Sequence, residues 1–143
     1  MYHYTESGLQ NVWLANGFKT RKVAGGVAVA IIDLEGLHEA IGRNLAHKGH
    51  LTGGEFRFLR KELDLSQKRV ASLVGKSEEA VSKWERLGHV PNSATRLVQG
   101  IYLETIDGDI KFRQLVEELA ELDRVHQEKI VFEDTAEGWR EAA

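Results

Sequence analysis

The chain has 143 residues, 42% apolar and 29% charged, with a formal charge of −3, the balance of one small soluble domain or of one with a smaller attachment. It has no cysteine, which excludes a disulfide framework and any cysteine-ligated zinc or iron–sulfur site and makes a cytoplasmic address the expectation. The longest apolar run, Val27 to Ile32, is about a third of a membrane-spanning helix, and no basic stretch precedes an apolar one at the N-terminus, so neither a membrane nor a secretion signal is read.

The first segment, residues 1–51, reads as a small strand-plus-helix unit. Val12-Trp13-Leu14 and Val27 to Ile32 are β-prone, and the dipeptides Asn16-Gly17 and Gly25-Gly26 each favour a hairpin; together they would give a meander. After Asp33, Leu34, Leu37, Ile41 and Leu45 recur at helical steps, which predicts a helix ending near Lys48-Gly49. The Tyr2, Tyr4 and Trp13 cluster is read as core in preference to a ligand-stacking site.

Residues 52–122 read as helices separated by short turns. Thr52 and Glu55 have capping-box spacing, with Phe56, Leu59 and Leu63 along one side of the helix they open and Asp64-Leu65 closing it. Ser66 caps a helix carrying Val70, Ala71 and Val74, which Gly75 ends; Ser77 caps the next, which starts with Glu78-Glu79, buries Val81 and Trp84, and fails at Leu87-Gly88. Asn92 or Ser93 opens a helix with Leu97 and Ile101 inward, ending before Asp107-Gly108. A last helix from about Ile110 would carry the seam Phe112, Leu115, Val116, Leu119 and Leu122. The remainder, residues 123–143, is an acidic tail whose Ile130-Val131-Phe132 and Trp139 predict a short strand. Charge follows these blocks: residues 1–51 hold 5 basic and 4 acidic groups, residues 52–104 hold 9 and 7, and residues 105–143 hold 5 and 11. The positive excess therefore sits in the middle, and the acidic end suits a basic partner.

The informative stretch is Gln67 to Trp84. Ala71, four residues after Gln67, is small where two helices must cross closely, and Gly75, eight after Gln67, supplies a positive-φ turn at low steric cost. Leu63-Asp64-Leu65-Ser66-Gln67, Val70-Ala71, Gly75, Ser77 and Val81-Ser82-Lys83-Trp84-Glu85 resemble the helix-turn-helix of Cro/XRE-type transcriptional regulators over roughly residues 52–104. The resemblance implies a mainly α, lambda-repressor-like bundle of four to five helices, here with a small N-terminal α+β unit of a β-hairpin plus helix. The order of units is also similar to that of antitoxins of the MqsA and HigA kinds. MqsA-type proteins hold zinc through N-terminal cysteines, which this chain lacks, so a zinc role is excluded and an antitoxin role stays open.

By that resemblance the helix Glu78 to Arg86 enters the major groove, with Ser77, Glu78, Glu79, Ser82 and Lys83 towards base edges, while Gln67 bonds a phosphate. Lys68, Arg69, Lys76, Arg86 and Arg57 are candidate phosphate neutralisers. Two positions depart from the family pattern: Lys76 replaces an apolar turn residue, and Glu78-Glu79 replace the usual Gln, Ser or Thr. The glutamates either read C·G pairs or weaken binding, or they serve only the helix dipole.

The resemblance implies a repressor that binds double-stranded DNA as a homodimer on an inverted repeat, with its dimer contact in the Phe112–Leu122 seam or in the N-terminal unit. It would act as an antitoxin-like autorepressor with a cognate toxin, as a phage-type repressor, or as an interaction module that has lost DNA binding. No cofactor or metal is expected, because the six histidines are scattered and His47/His50 lack a third ligand. No enzymatic activity is expected either: there is no phosphate-cradling loop, no G-x-S-x-G and no cysteine nucleophile.

Overall fold

The computed structural model describes residues 1–108, 114, 117 and 131–141. Its elements are β1 (Tyr2–His3), β2 (Trp13–Leu14), β3 (Phe18–Val23), β4 (Gly26–Ile31), α1 (Leu34–Ala46), α2 (Gly53–Glu62), α3 (Gln67–Val74), α4 (Glu78–Leu87), α5 (Asn92–Asp107), β5 (Phe132–Thr135) and β6 (Gly138–Glu141). The strands form three antiparallel two-stranded sheets, β1–β2, β3–β4 and β5–β6, so the fold is mainly helical with small β units. Among the described residues, no helix is long and apolar enough to cross a membrane.

Local capping fixes where the helices start and stop. Thr52 and Glu55 form a complete capping box, with the Thr52 side chain accepting from Glu55 N at 3.2 Å and the Glu55 carboxylate accepting from Thr52 N at 2.9 Å. Asp33 caps α1, Ser66 caps α3 and Ser77 caps α4, each accepting from the backbone N–H three residues on. The start of α5 departs from expectation. Pro91 is the N-cap and gives no side-chain bond, while Asn92 and Ser93 lie inside the first turn. Proline's fixed φ of −61° sets the chain direction there without a polar side chain.

The expected meander is also corrected. Across Asn16-Gly17, β2 does not continue into a hairpin with β3; it pairs back on β1, with Tyr2 opposite Leu14 and His3 opposite Trp13. Burial of Tyr4, Leu9 and Leu14 rewards that pairing, and the His3 and Trp13 rings stack at 4.1 Å across it. The Trp13 ring is otherwise exposed, so of the three N-terminal aromatics Tyr4 alone is fully core. The second hairpin forms as expected but turns on Ala24-Gly25, because Val23 and Gly26 are its closing pair. In the tail, Phe132 to Thr135 pairs with Gly138 to Glu141, whereas the helix expected from Ile110 to Leu122 lies outside the described residues apart from Gln114 and Glu117.

Among the described residues the core runs through α1 to α5. Leu51, Phe56, Leu59, Val70, Val81 and Ile101 are fully inaccessible, and α1 packs on α5 and α2 while α4 packs on α3 and α2. Two polar devices lock the N-terminal unit to the bundle. The Gln99 amide donates to the Leu45 and Lys48 carbonyls at 3.0 and 2.8 Å, closing the C-terminal end of α1. The Tyr4 hydroxyl meets His38 Nε2 at 2.8 Å, and His38 Nδ1 meets Glu62 at 2.5 Å, which links the turn after β1 to α1 and α2. A third junction depends on glycine. A Cβ on Gly53 would lie 2.3 Å from the Glu85 carbonyl oxygen and 2.6 Å from that of Trp84, so the first residue of α2 is pressed against the last turn of α4.

Candidate nucleic-acid interface

The α3–turn–α4 unit is built by short-range chemistry. Gly75 ends α3 at φ 69°, the left-handed conformation that glycine adopts without steric cost. The backbone N–H groups of Gly75 and Lys76 both return to the Ala71 carbonyl, that of Lys76 at 2.9 Å. Ala71 and Val81 are buried at the crossing, and Trp84 meets Phe56 edge-on at 6.2 Å. The inner face of α4 is thereby sealed against α2 and α3.

The outer face carries the residues picked from the sequence. Lys68, Lys76, Ser77, Glu78, Glu79, Lys83 and Arg86 are exposed, and Gln67 and Ser82 are half-buried. Ser77 accepts from Ala80 N at 3.1 Å, so its oxygen caps α4 while its O–H remains a donor. Glu78 and Glu79 occupy the first turn of α4, where the unpaired backbone N–H groups favour negative charge. The Gln67 amide donates to Glu85 Oε1 at 3.1 Å, which holds the side chain at the N-terminus of α3 and leaves its second N–H for another acceptor. Arg69 lies 4.0 Å from Glu117, and Arg57 lies 4.0 Å from Glu85. Both candidate neutralisers therefore have an acidic neighbour.

The sequence reading gave no role to the groups that hold this face in place. Glu85 has a side chain only 3% exposed. It accepts from Arg60 Nε at 2.7 Å and from the other arm of the same guanidinium at 2.9 Å, a bidentate pair joining α4 to α2. Arg60 also donates to the Leu65 carbonyl at 2.9 Å, at the entry to α3. One carboxylate thus ties all three helices together. The signal was present: Glu85 follows Val81 by four residues and Arg60 follows Phe56 by four, so each charge falls on the buried stripe of its helix and requires an opposite partner.

Lys48 and Glu55 form a second ion pair at 2.6 Å, in which the Glu55 side chain is 3% exposed and the Lys48 side chain 37% exposed. Burial pushes the Glu55 carboxyl up, but Lys48 and the Thr52 backbone N–H outweigh it and hold the group below its ordinary value.

Residues 56–95 match the family described as helix-turn-helix, a stretch running from α2 through the first turn of α5 and containing the whole α3–turn–α4 unit. It supports the resemblance to Cro/XRE-type regulators over those residues, a class of DNA-binding regulatory domains. Neither curated proteins nor solved structures give a match.

Proposed function

We propose that this chain is a sequence-specific transcriptional repressor that acts in the cytoplasm as a homodimer on an inverted repeat, in an antitoxin-like autoregulatory role. The observation that carries the reading is the outer face of α4. Ser77, Ser82, Lys83 and Arg86 stand together on a helix whose inner side is locked to α2 and α3 by Glu85, the rigid presentation that groove reading requires. One such helix touches only a few base pairs, so useful specificity calls for two copies on half-sites about one helical turn apart. Exposed Trp13, Ile32 and Leu34 on the N-terminal unit, and Phe132 and Trp139 on the β5–β6 hairpin, are apolar surfaces suited to a second copy or to a toxin.

The roles follow from reach. Lys83, one turn inside α4, is assigned to base edges; Gln67, Lys68 and Lys76, around the start of α3 and the turn, are assigned to phosphates. The DNA-binding reading is tested by electrophoretic mobility shift on the DNA upstream of the coding sequence. Lys83→Ala should relax discrimination between operator variants by about 1–3 kcal/mol at one position, whereas Lys68→Ala should weaken binding to all variants alike and flatten the log–log salt slope by about 0.9. Equal, uniform losses in both would remove α4 from the reading role. The antitoxin role predicts that the product of a small neighbouring reading frame co-purifies with the chain.

One observation favours a second reading. Glu78 and Glu79 are exposed and have no ion-pair partner among the described residues, so they place negative charge at the leading end of α4, which opposes a phosphate backbone. A protein-interaction module that keeps the scaffold without binding DNA would show no salt-dependent association with any duplex.

A further inference from the structure

The exposed face of the helix-turn-helix is weakly charged for its proposed task. Lys68, Lys76, Lys83 and Arg86 are offset by Glu78 and Glu79, while Arg57 and Arg69 each sit beside an acidic group. Nonspecific affinity for duplex DNA comes from the number of phosphates that cations neutralise, so this face alone supplies little of it.

The β3–β4 hairpin offers what is missing. No acidic residue occurs between positions 7 and 32, and within that stretch lie Lys19, Arg21 and Lys22. All three are on β3, all are exposed, and none has an ion-pair partner among the described residues. The register gives the hairpin two different faces. Phe18, Thr20 and Lys22 share one face with Val27, Val29 and Ile31; at its base Phe18 meets the Tyr2 ring at 5.5 Å, which seats this side on the N-terminal unit. Lys19 and Arg21 occupy the opposite face, directly across from Ala30 and Ala28. Two cations two residues apart on a strand stand about 6.8 Å from one another, above a floor of methyl groups low enough for a phosphate backbone to come close. Strands of six residues make an arm about 20 Å long.

We infer that the β3–β4 hairpin is a second DNA contact, a phosphate-binding arm in which Lys19 and Arg21 neutralise the backbone without reading sequence. The inference rests on the chain being a DNA-binding protein and assigns affinity to a part of it that the helix-turn-helix does not include. It predicts that specificity and nonspecific affinity are carried by separate elements.

The test compares the full-length wild type, the triple variant Lys19→Ala/Arg21→Ala/Lys22→Ala and Lys83→Ala. Binding to random-sequence 40-base-pair duplexes and to the upstream region is measured between 50 and 200 mM salt, with sedimentation mass and thermal melting alongside. All three arm side chains are exposed, so melting should not change. Because Lys22 stands on the other face, the triple variant should flatten the salt slope on random duplexes by about 1.8, so that its affinity falls about 12-fold less than the wild type's over that range. Its ranking of operator variants should stay as in the wild type. An unchanged slope in the triple variant, with altered discrimination in Lys83→Ala, overturns the arm and leaves the DNA-binding reading intact. A wild type that binds no duplex overturns both. An unchanged slope with a reduced sedimentation mass makes the hairpin a contact between copies and overturns the arm as well.

Discussion

Replacing Glu85 by alanine should remove a large part of the fold's stability, and the geometry sets the size of the effect. The substitution removes three side-chain hydrogen bonds, two from Arg60 and one from Gln67, and leaves a guanidinium that is only 11% exposed with the Leu65 carbonyl as its remaining partner. Breaking a buried pair from one side costs about 3–5 kcal/mol, mostly through the uncompensated charge, against a total stability of about 5–15 kcal/mol for a domain. The Arg57 contact, at 4.0 Å from a half-exposed side chain, adds little to this. Glu85→Gln keeps the shape and one acceptor oxygen and should cost less. Removing both charges with Arg60→Met/Glu85→Met should recover most of the loss, because apolar groups of similar volume carry no desolvation penalty. Urea unfolding followed by circular dichroism at 222 nm of the wild type, Arg60→Met, Glu85→Met and the double variant closes a double-mutant cycle, with Glu85→Ala and Glu85→Gln measured alongside. A cost below about 1 kcal/mol for Glu85→Ala, or a double variant whose loss equals the sum of the two single losses, refutes the idea that this pair holds α2, α3 and α4 together.

Two further outcomes follow from the packing and the charges. Gly53→Ala places a methyl group inside the contact with the Glu85 and Trp84 carbonyls; the backbone cannot rotate away as a side chain would, so a loss of about 1–3 kcal/mol is expected, read as a lower melting temperature. Glu55 has its folded-state pKa depressed, so its contribution to stability is fully present above the unfolded-state value and is lost as pH falls through the folded value. Lys48→Met should therefore lower stability at pH 7 and flatten its decline between pH 5 and pH 3. Parallel decline in the variant and the wild type over that window would exclude the Lys48–Glu55 pair as its source.

The elements that were legible in the sequence are those whose signals act within three or four residues. Thr52 with Glu55, Ser66, Gly75, Ser77 and Gly88 each satisfy a nearby backbone group, so α2, α3 and α4 could be bounded without knowledge of the rest of the chain. Exposure of the α4 face was legible for the same reason, since Val81 and Trp84 fix which side is inward. The pairing of β1 with β2 was not, because Asn16-Gly17 offers a good local turn and only the burial of Tyr4, Leu9 and Leu14 decides against it. Pro91 took the capping place that the polar Asn92 and Ser93 suggested for themselves. Arg60 and Glu85 are 25 residues apart; each falls on the buried stripe of its own helix and so calls for a partner, but only the crossing of α2 and α4 decides which partner it takes.

The seam at Gly53 has a mechanical consequence. Where backbone meets backbone with no side chain between, the two segments have no compliant layer, and neither can slide without carrying the other. Glu55, two residues further along α2, holds Lys48 just beyond the exit of α1. The exit of the N-terminal unit and the tail of α4 are thus geared through a single rigid turn, and a load applied to one is delivered to the other.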